Sequence, residues 1–95
     1  MRAPISVFKI ADRSMEPKLH EGDYVIVNKW HGEPRIGDIV VLFHPQKRIP
    51  IIKRIMRIED GLIYVSGDNR TVSQDSRHFG PIGVGNIIGK MLFKV

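Results

Sequence analysis

Short runs of β-branched residues, separated by turn-forming pairs of glycine and aspartate, most strongly limit how this chain can fold. Gly22-Asp23 and Gly37-Asp38 each precede such a run, and Asp60-Gly61 joins two runs in the pattern of a tight β-hairpin. The predicted strands are residues 5–10, 24–29, 39–43, 50–59, 62–66 and 86–95. No segment shows a sustained apolar stripe with the helical period of about 3.6 residues. The sequence therefore predicts a mostly β fold of antiparallel strands with little helix.

The chain has 95 residues, of which 42% are hydrophobic and 26% charged, as is ordinary for a soluble globular protein. This length predicts one domain, residues 1–95, with one modest core. The absence of cysteine excludes disulfides, thiolate metal ligands and a cysteine nucleophile. The longest apolar run, residues 39–43, is far shorter than the roughly 20 residues that a membrane-spanning helix needs. We therefore expect a protein that is soluble or peripheral to a membrane, with the cytoplasm favoured if the chain is complete.

The formal charge of +5 raises the question of nucleic acid or an anionic membrane as a partner. The basic side chains are scattered, however, and the nearest thing to a cluster combines Lys47-Arg48 with Lys53-Arg54 and Arg57. No basic run is interleaved with the aromatic residues that a single-strand binder needs. The sequence therefore predicts no nucleic-acid partner and leaves peripheral membrane contact open.

Residues 13–19, 53–54 and 67–81 depart from the strand pattern, and such polar segments in a compact domain are often functional. Ser14 lies in the first of them, shortly before Pro17, whose ring stiffens the backbone. A rigid backbone holds a nucleophile and its own N–H in the geometry that an oxyanion hole requires. An ordinary turn serine would give the same local pattern.

Lys53 is the candidate base for this serine. Strand alternation places its side chain on the face of Ile49, Ile51 and Ile55. Apolar surroundings would lower the pKa of the lysine, and a neutral amine can accept the proton of a serine hydroxyl. The alternative is a lysine on an edge strand whose ammonium group extends into water.

Histidine offers a rival base. His20, His31, His44 and His78 lie in turn-rich or charged contexts and lack the spacing of helical metal ligands. We interpret all four as surface or local hydrogen-bonding groups. The sequence therefore predicts no metal site and no cofactor.

Four motifs occur in order along nearly the whole chain. They are Ser14-Met15-Glu16-Pro17 with Leu19, Gly22-Asp23 and Val25; Gly37-Asp38-Ile39-Val40; Lys53-Arg54 with Ile55; and Gly67-Asp68-Asn69-Arg70 followed by Ser73, Asp75-Ser76-Arg77 and Phe79-Gly80-Pro81-Ile82. Together they resemble the motifs of the type I signal peptidase family of serine–lysine peptidases. The serine and lysine motifs alone are shared with self-cleaving repressors of the DNA-damage response, whereas the last motif separates the two groups. The resemblance implies a twisted antiparallel β domain of the signal-peptidase type.

The resemblance also implies a role for each matching residue. Ser14 would attack the scissile carbonyl, and Lys53 would take its proton and return it to the leaving amine. The backbone N–H of Ser14 would serve the oxyanion hole. Ser73 would orient the lysine, and Asp75 with Arg77 would form a charged pair that holds the last loop near the site.

Asp12 departs from this pattern, because one branch of the family has a second hydroxyl donor at that position. An ionised carboxylate cannot donate a hydrogen bond to an oxyanion. Either Asp12 points away, or it is protonated, or another donor serves. Substrate pockets in the family are shallow and apolar, and the residues beside the motifs that could line one, each equally suited to the core, are Ile10, Met15 and Ile52.

We expect a chain without the membrane anchors of the family, and the span between the lysine motif and the last motif is too short for the β-domain that is often inserted there. This brevity resembles the soluble, anchor-free branch that includes the maturation proteases of nickel superoxide dismutase. We therefore expect a serine endopeptidase that removes an N-terminal signal or pro-segment, and whose partner is the extended N-terminal segment of a precursor protein. The alternatives are a soluble maturation protease dedicated to one precursor and a non-catalytic basic binding module. The oligomeric state is left open.

Overall fold

The structure, a computed structural model, describes residues 4–29 and 32–95. Within these residues the strands are β1 (Ile5–Lys9), β2 (Tyr24–Asn28), β3 (Ile39–Phe43), β4 (Pro50–Glu59), β5 (Leu62–Ser66) and β6 (Ile87–Lys94). A four-residue helix, α1 (Ser76–Phe79), and a 3-10 turn at Val84–Asn86 lie between β5 and β6. The prediction of a mostly β fold with little helix is confirmed, and the observed bounds of β3, β4 and β5 are those predicted.

All six strands form one antiparallel sheet in the order β1-β2-β6-β3-β4-β5. The β4–β5 hairpin turns at Asp60 and Gly61, whose φ angles of 51° and 77° lie in the left-handed region that a two-residue type I′ turn requires. The pairing of β4 with β5 shifts by one residue between Ile55 and Arg57. Such a bulge increases the local twist of the sheet, as expected for a twisted β domain.

Apolar side chains are buried on both faces of the sheet. On β3, Ile39 and Val41 belong to one cluster, while Val40 and Leu42 belong to another, because successive strand residues point to opposite faces. The first cluster also contains Ile10, Met15, Leu19, Val25, Val27 and Ile52. The second also contains Ile55, Ile63, Val65, Ile82 and Ile87. The prediction of one modest core was therefore wrong, since the sheet itself separates two small ones.

The helices present in residues 4–29 and 32–95 are too short to cross a membrane.

Candidate active site

Ser14 lies in the irregular segment between β1 and β2, and the segment is anchored at both ends. The N–H and the carbonyl of Ile10 are each bonded to the backbone of Gly22-Asp23 at 2.8 Å. Further along, the side chains of Met15 and Leu19 pack into the first core cluster. Because its neighbours on either side are fixed, Ser14 is held in place and is only 2% exposed.

Lys53 lies in β4 and is also only 2% exposed. The alternative of a lysine that extends into water is therefore wrong. Ile51 and Ile55, on the same face of the strand, pack in the second core cluster as predicted. Ile49 precedes the first residue of the strand and is 51% exposed.

The two side chains meet: Nζ of Lys53 donates to Oγ of Ser14 at 2.9 Å. Burial lowers the pKa of Lys53, and the carboxylates of Asp12 and Asp75 raise it and so offset part of that effect. A lowered pKa leaves more of the lysine as a neutral amine near neutral pH. At the observed distance, the lone pair of that amine can accept the Ser14 proton.

The backbone N–H of Ser14 already has an acceptor. It donates to Oδ1 of Asp12 at 3.0 Å. Of the three arrangements that the sequence left open for Asp12, the first is therefore excluded, because the carboxylate points at the N–H group that the oxyanion hole would use.

The segment that follows β5 packs against the segment that carries Ser14. Asn69 N–H donates to the carbonyl oxygen of Ser14 at 2.8 Å, and its side-chain amide donates to the carbonyl of Arg13 at 3.2 Å. Gly67 lies so close that a Cβ there would be 2.6 Å from the same Ser14 oxygen. Sequence reasoning missed these contacts, although membership of Gly67 and Asn69 in the last motif was a signal that could have found them.

A buried carboxylate organises the same segment. The carboxylate of Asp75, which is 0% exposed, accepts hydrogen bonds from Ser73 Oγ at 2.9 Å, Gly67 N–H at 3.2 Å and Ser66 Oγ at 3.3 Å. Arg77 adds Nε at 2.9 Å and Nη2 at 3.1 Å, so the structure brings the predicted Asp75–Arg77 pair together. Burial alone would raise the pKa of Asp75, but the hydrogen bonds from Arg77, Gly67 and Ser73 outweigh it and hold the pKa well below its ordinary value.

The model of the family described as signal peptidase, peptidase S26, matches residues 2–58 and 56–95 of the chain. The chain belongs to this family. The predicted family is thereby confirmed.

Three curated relatives of the chain carry the names of proteases or peptidases. Mitochondrial inner membrane protease subunit 2 of Schizosaccharomyces pombe is 28% identical over 93% of this chain and 63% of its own length. Signal peptidase I of Bacillus caldolyticus is 27% identical over 94% of this chain and 78% of its own length. The signal peptidase complex catalytic subunit sec11 of Dictyostelium discoideum is 41% identical over 74% of this chain, which spans 41% of that protein. The finer likeness to maturation proteases of nickel superoxide dismutase stays a prediction.

The hydrogen bonds shown for Ser73 are with Gly67 and Asp75. Its hydroxyl accepts from Gly67 N–H at 3.1 Å and donates to Asp75 at 2.9 Å. In the part of the chain that the structure describes, Ser14 is the hydrogen-bond partner shown for Lys53 Nζ. The predicted role of Ser73 in orienting Lys53 therefore stays a prediction.

Arg54, next to the lysine, holds the other side of the last motif. Its Nε and Nη2 donate to the two carboxylate oxygens of Asp68 at 2.9 Å each, and Nη1 donates to the carbonyl of Gly37 at 3.0 Å. Sequence reasoning missed this pair, whose signal was the presence of both residues in the motifs. Two of the basic residues that come nearest to a cluster in the sequence are therefore not free surface charges, because Lys53 is buried and Arg54 is paired with a carboxylate.

The three predicted substrate-binding residues all pack in the first core cluster, with Ile10 1%, Met15 0% and Ile52 4% exposed. Ile10 also lines a cavity of about 460 Å³ together with Lys9, Ala11, Glu21 and Gly22. Their packing is that of core residues, and a substrate-binding role stays a prediction.

The histidines are partly as predicted. His20 and His78 are exposed, and His78 Nδ1 accepts the backbone N–H of Asp75 at 3.2 Å. His44 is 4% exposed, and its Nδ1 accepts two local backbone N–H groups at 3.1 Å, so it is a local hydrogen-bonding group and not a surface one. His31 lies outside the described residues. The described residues contain no group of three or more side chains that could hold a metal ion.

Proposed function

We propose that this chain is a serine endopeptidase that uses a Ser14–Lys53 dyad to remove an N-terminal signal or pro-segment from a precursor protein. The 2.9 Å contact between Lys53 Nζ and Ser14 Oγ, both in residues only 2% exposed, carries the proposal. A buried lysine lowers the stability of a fold unless its charge is compensated. A non-catalytic binding module would gain nothing from such a residue, whereas a peptidase needs it as a base.

The dyad supports acyl transfer in two steps. Ser14 Oγ bonds to the carbonyl carbon of the substrate as its proton moves to Lys53 Nζ, and the resulting ammonium group then protonates the leaving amine as the peptide bond breaks. The neutral amine next takes a proton from water, which attacks the acyl group on Ser14. Collapse of that intermediate breaks the ester bond to Ser14, releases the N-terminal segment with a new carboxyl end and returns the proton to the Ser14 oxygen.

Asp75 supports the protonated form of the base between these steps. Its carboxylate is buried and raises the pKa of Lys53. Arg77 helps to keep that carboxylate ionised in the folded protein. The lysine is therefore poised between burial, which favours the neutral base, and a fixed negative charge, which favours the acid.

The outer strand of the sheet supports an extended substrate. β1 pairs with β2 on one side, and no strand within residues 4–29 and 32–95 pairs with its other edge. The chain leads from this strand directly into the segment that carries Ser14. A peptide added as a further strand along β1 would gain main-chain hydrogen bonds while it approaches the nucleophile. Membership of the signal peptidase family supports an N-terminal signal segment as that peptide.

Cleavage of synthetic peptides that span the junction after an N-terminal signal tests the proposal. Ser14→Ala and Lys53→Met should each lower kcat/KM by about 10⁴-fold or more, as loss of a nucleophile or its base does in serine proteases. The wild-type rate should rise with pH through a pKa below the ordinary lysine value of 10.5.

Lys90→Met is the matched control, because Lys90 is a partly exposed sheet lysine that pairs with Asp38 and lies outside the dyad. It should cleave like the wild type. Cleavage that survives Ser14→Ala would show that another group is the nucleophile and that the proposal is wrong.

A further inference from the structure

The Ser14 N–H has two competing acceptors if this chain is the peptidase proposed above. One is the developing oxyanion of the substrate, which needs this N–H as a donor. The other is Asp12, whose Oδ1 holds it at 3.0 Å in the structure. A backbone N–H has one proton to donate, so a substrate oxyanion in line with it must displace the carboxylate.

The negative charge of the Asp12 carboxylate also disfavours an oxyanion beside the Ser14 N–H. An oxyanion that forms beside an ionised Asp12 is repelled by it, and that repulsion is strongest where water is excluded. Arg13, the adjacent cation, is directed to Glu16, with Nε of the arginine 3.1 Å from Oε2 of the glutamate. The Asp12 residue itself is exposed, so its side chain has solvent into which it can turn.

Asp12 acts on the base as well as on the oxyanion donor. The charged and titratable groups that influence Lys53 or are influenced by it are Asp12 from the loop after β1, Asp75 from the segment before α1 and His44 after β3. Both carboxylates raise the pKa of the lysine. Asp75 is buried and is fixed by Arg77, whereas Asp12 is exposed and the hydrogen bond shown for it within residues 4–29 and 32–95 comes from Ser14 N–H.

We propose that Asp12 is an autoinhibitory residue: in the free enzyme its carboxylate occupies the N–H of Ser14 that would stabilise the oxyanion, and it must turn away before Ser14 can be acylated. A substrate that displaces Asp12 therefore frees the Ser14 N–H for the oxyanion and at the same time favours Lys53 as a neutral base. Loss of the Asp12 charge should speed acylation and should move the pH dependence of the reaction towards lower pH.

The test uses p-nitrophenyl acetate, which needs no knowledge of the natural precursor. Ser14 Oγ bonds to the acetyl carbon, the ester bond to p-nitrophenolate breaks, and the serine proton passes to Lys53. Acetylation of Ser14 is located by peptide mapping, and its rate is followed against pH for wild type, Asp12→Asn and Ser14→Ala. Asparagine can still accept the Ser14 N–H through Oδ1, so Asp12→Asn keeps the local turn and removes only the charge.

We expect Asp12→Asn to raise the Ser14 acetylation rate near neutral pH on the order of tenfold, because a hydrogen bond to a neutral acceptor is easier to displace than one to a charged acceptor. The ionisation of Lys53, followed by NMR of its side chain, should also shift to lower pH in this variant. The control is Asp60→Asn, which makes the same change of charge at the tip of the β4–β5 hairpin, where asparagine suits the turn equally well. It should behave like the wild type.

The two proposals fail in different ways. If wild-type Ser14 is acetylated but Asp12→Asn reacts no faster, or if Lys53 titrates identically in both proteins, the inference about Asp12 is overturned and the dyad stands. If Ser14 is acetylated in neither protein, the assignment of the nucleophile is overturned, and the NMR titration alone then shows whether Asp12 acts on Lys53.

Discussion

Gly67→Ala should displace Ser14, because Gly67 lies where the segment after β5 packs tightly against the segment that carries Ser14. A Cβ on this residue would be 2.6 Å from both the carbonyl oxygen of Ser14 and the Cβ of Ser73, well inside the 3.4 Å at which ordinary contact begins. Neither neighbour is the flexible end of a long side chain, so the backbone must move. Overpacking of this kind costs about 1–3 kcal/mol, and each kcal/mol lowers the Tm of a chain of this size by about 4–8 °C.

The same displacement should reduce catalysis more than stability. A shift of the nucleophile by about 1 Å can cost on the order of 100-fold in rate. We therefore expect kcat/KM for peptide cleavage to fall by about that factor at a temperature where the variant is fully folded, as judged by thermal melting and circular dichroism.

Two other glycines provide matched controls. Gly89→Ala places a Cβ 2.9 Å from the carbonyl oxygen of Asn28, at the contact of β6 with β2, so it should lower Tm without lowering kcat/KM in the folded protein. Gly83→Ala meets no atom within 4 Å and should change neither quantity. Wild-type activity in Gly67→Ala, or an equal loss of activity in Gly89→Ala, would refute the reasoning.

Two further predictions concern the buried charges. In a Ser14→Ala background, Lys53→Met should raise the free energy of unfolding near neutral pH. This gain should shrink as pH rises through the lowered lysine pKa towards 10.5, because the unfolded Lys53 protein binds more protons than the folded one in that window. Urea unfolding at a series of pH values measures the gain, and a gain that is equal at every pH would contradict the prediction. Asp75→Asn should lower the free energy of unfolding by about 2–4 kcal/mol near neutral pH, because it leaves buried donors without their carboxylate. Because folding lowers the pKa of Asp75, the stabilisation by this carboxylate is fully present above the ordinary pKa of 3.8 and is lost as pH falls through the folded-state pKa. The stabilities of wild type and Asp75→Asn should therefore converge in strong acid. Equal stability of the two proteins near neutral pH would contradict this prediction.

The strands could be predicted because their signals are local. β-branched runs bounded by glycine and aspartate give three strands their observed bounds, and Asp60-Gly61 gives the hairpin turn its left-handed backbone. The face of Lys53 also follows from alternation alone. Alternation does not give depth, however, so it could not show that Ile49 is exposed while Lys53 on the same face is buried.

The contacts that complete the site could not be predicted, because they join residues that are distant along the chain. The bond from Asn69 N–H to the Ser14 carbonyl depends on how the segment after β5 packs, and no local pattern encodes that packing. The bond from Ser14 N–H to Asp12 is local, but aspartate commonly accepts from the N–H two residues later in any turn. Only the position of Lys53 beside the same serine gives that ordinary turn a chemical consequence.

The proton affinity of Lys53 depends on one carboxylate that is fixed and one that can move. Asp75 is 0% exposed and accepts hydrogen bonds from several donors, so its charge stays in place through the reaction. Asp12 is exposed, and among the described residues the structure shows one hydrogen bond to it, so a small rotation changes its distance from the lysine. If both carboxylates were fixed, the proton affinity of Lys53 would stay the same throughout the reaction cycle. If Asp12 acts as we propose, the same substrate group that takes the Ser14 N–H would also weaken the attraction that holds the proton on Lys53, and Ser14 would become activated only when a carbonyl is in position to react.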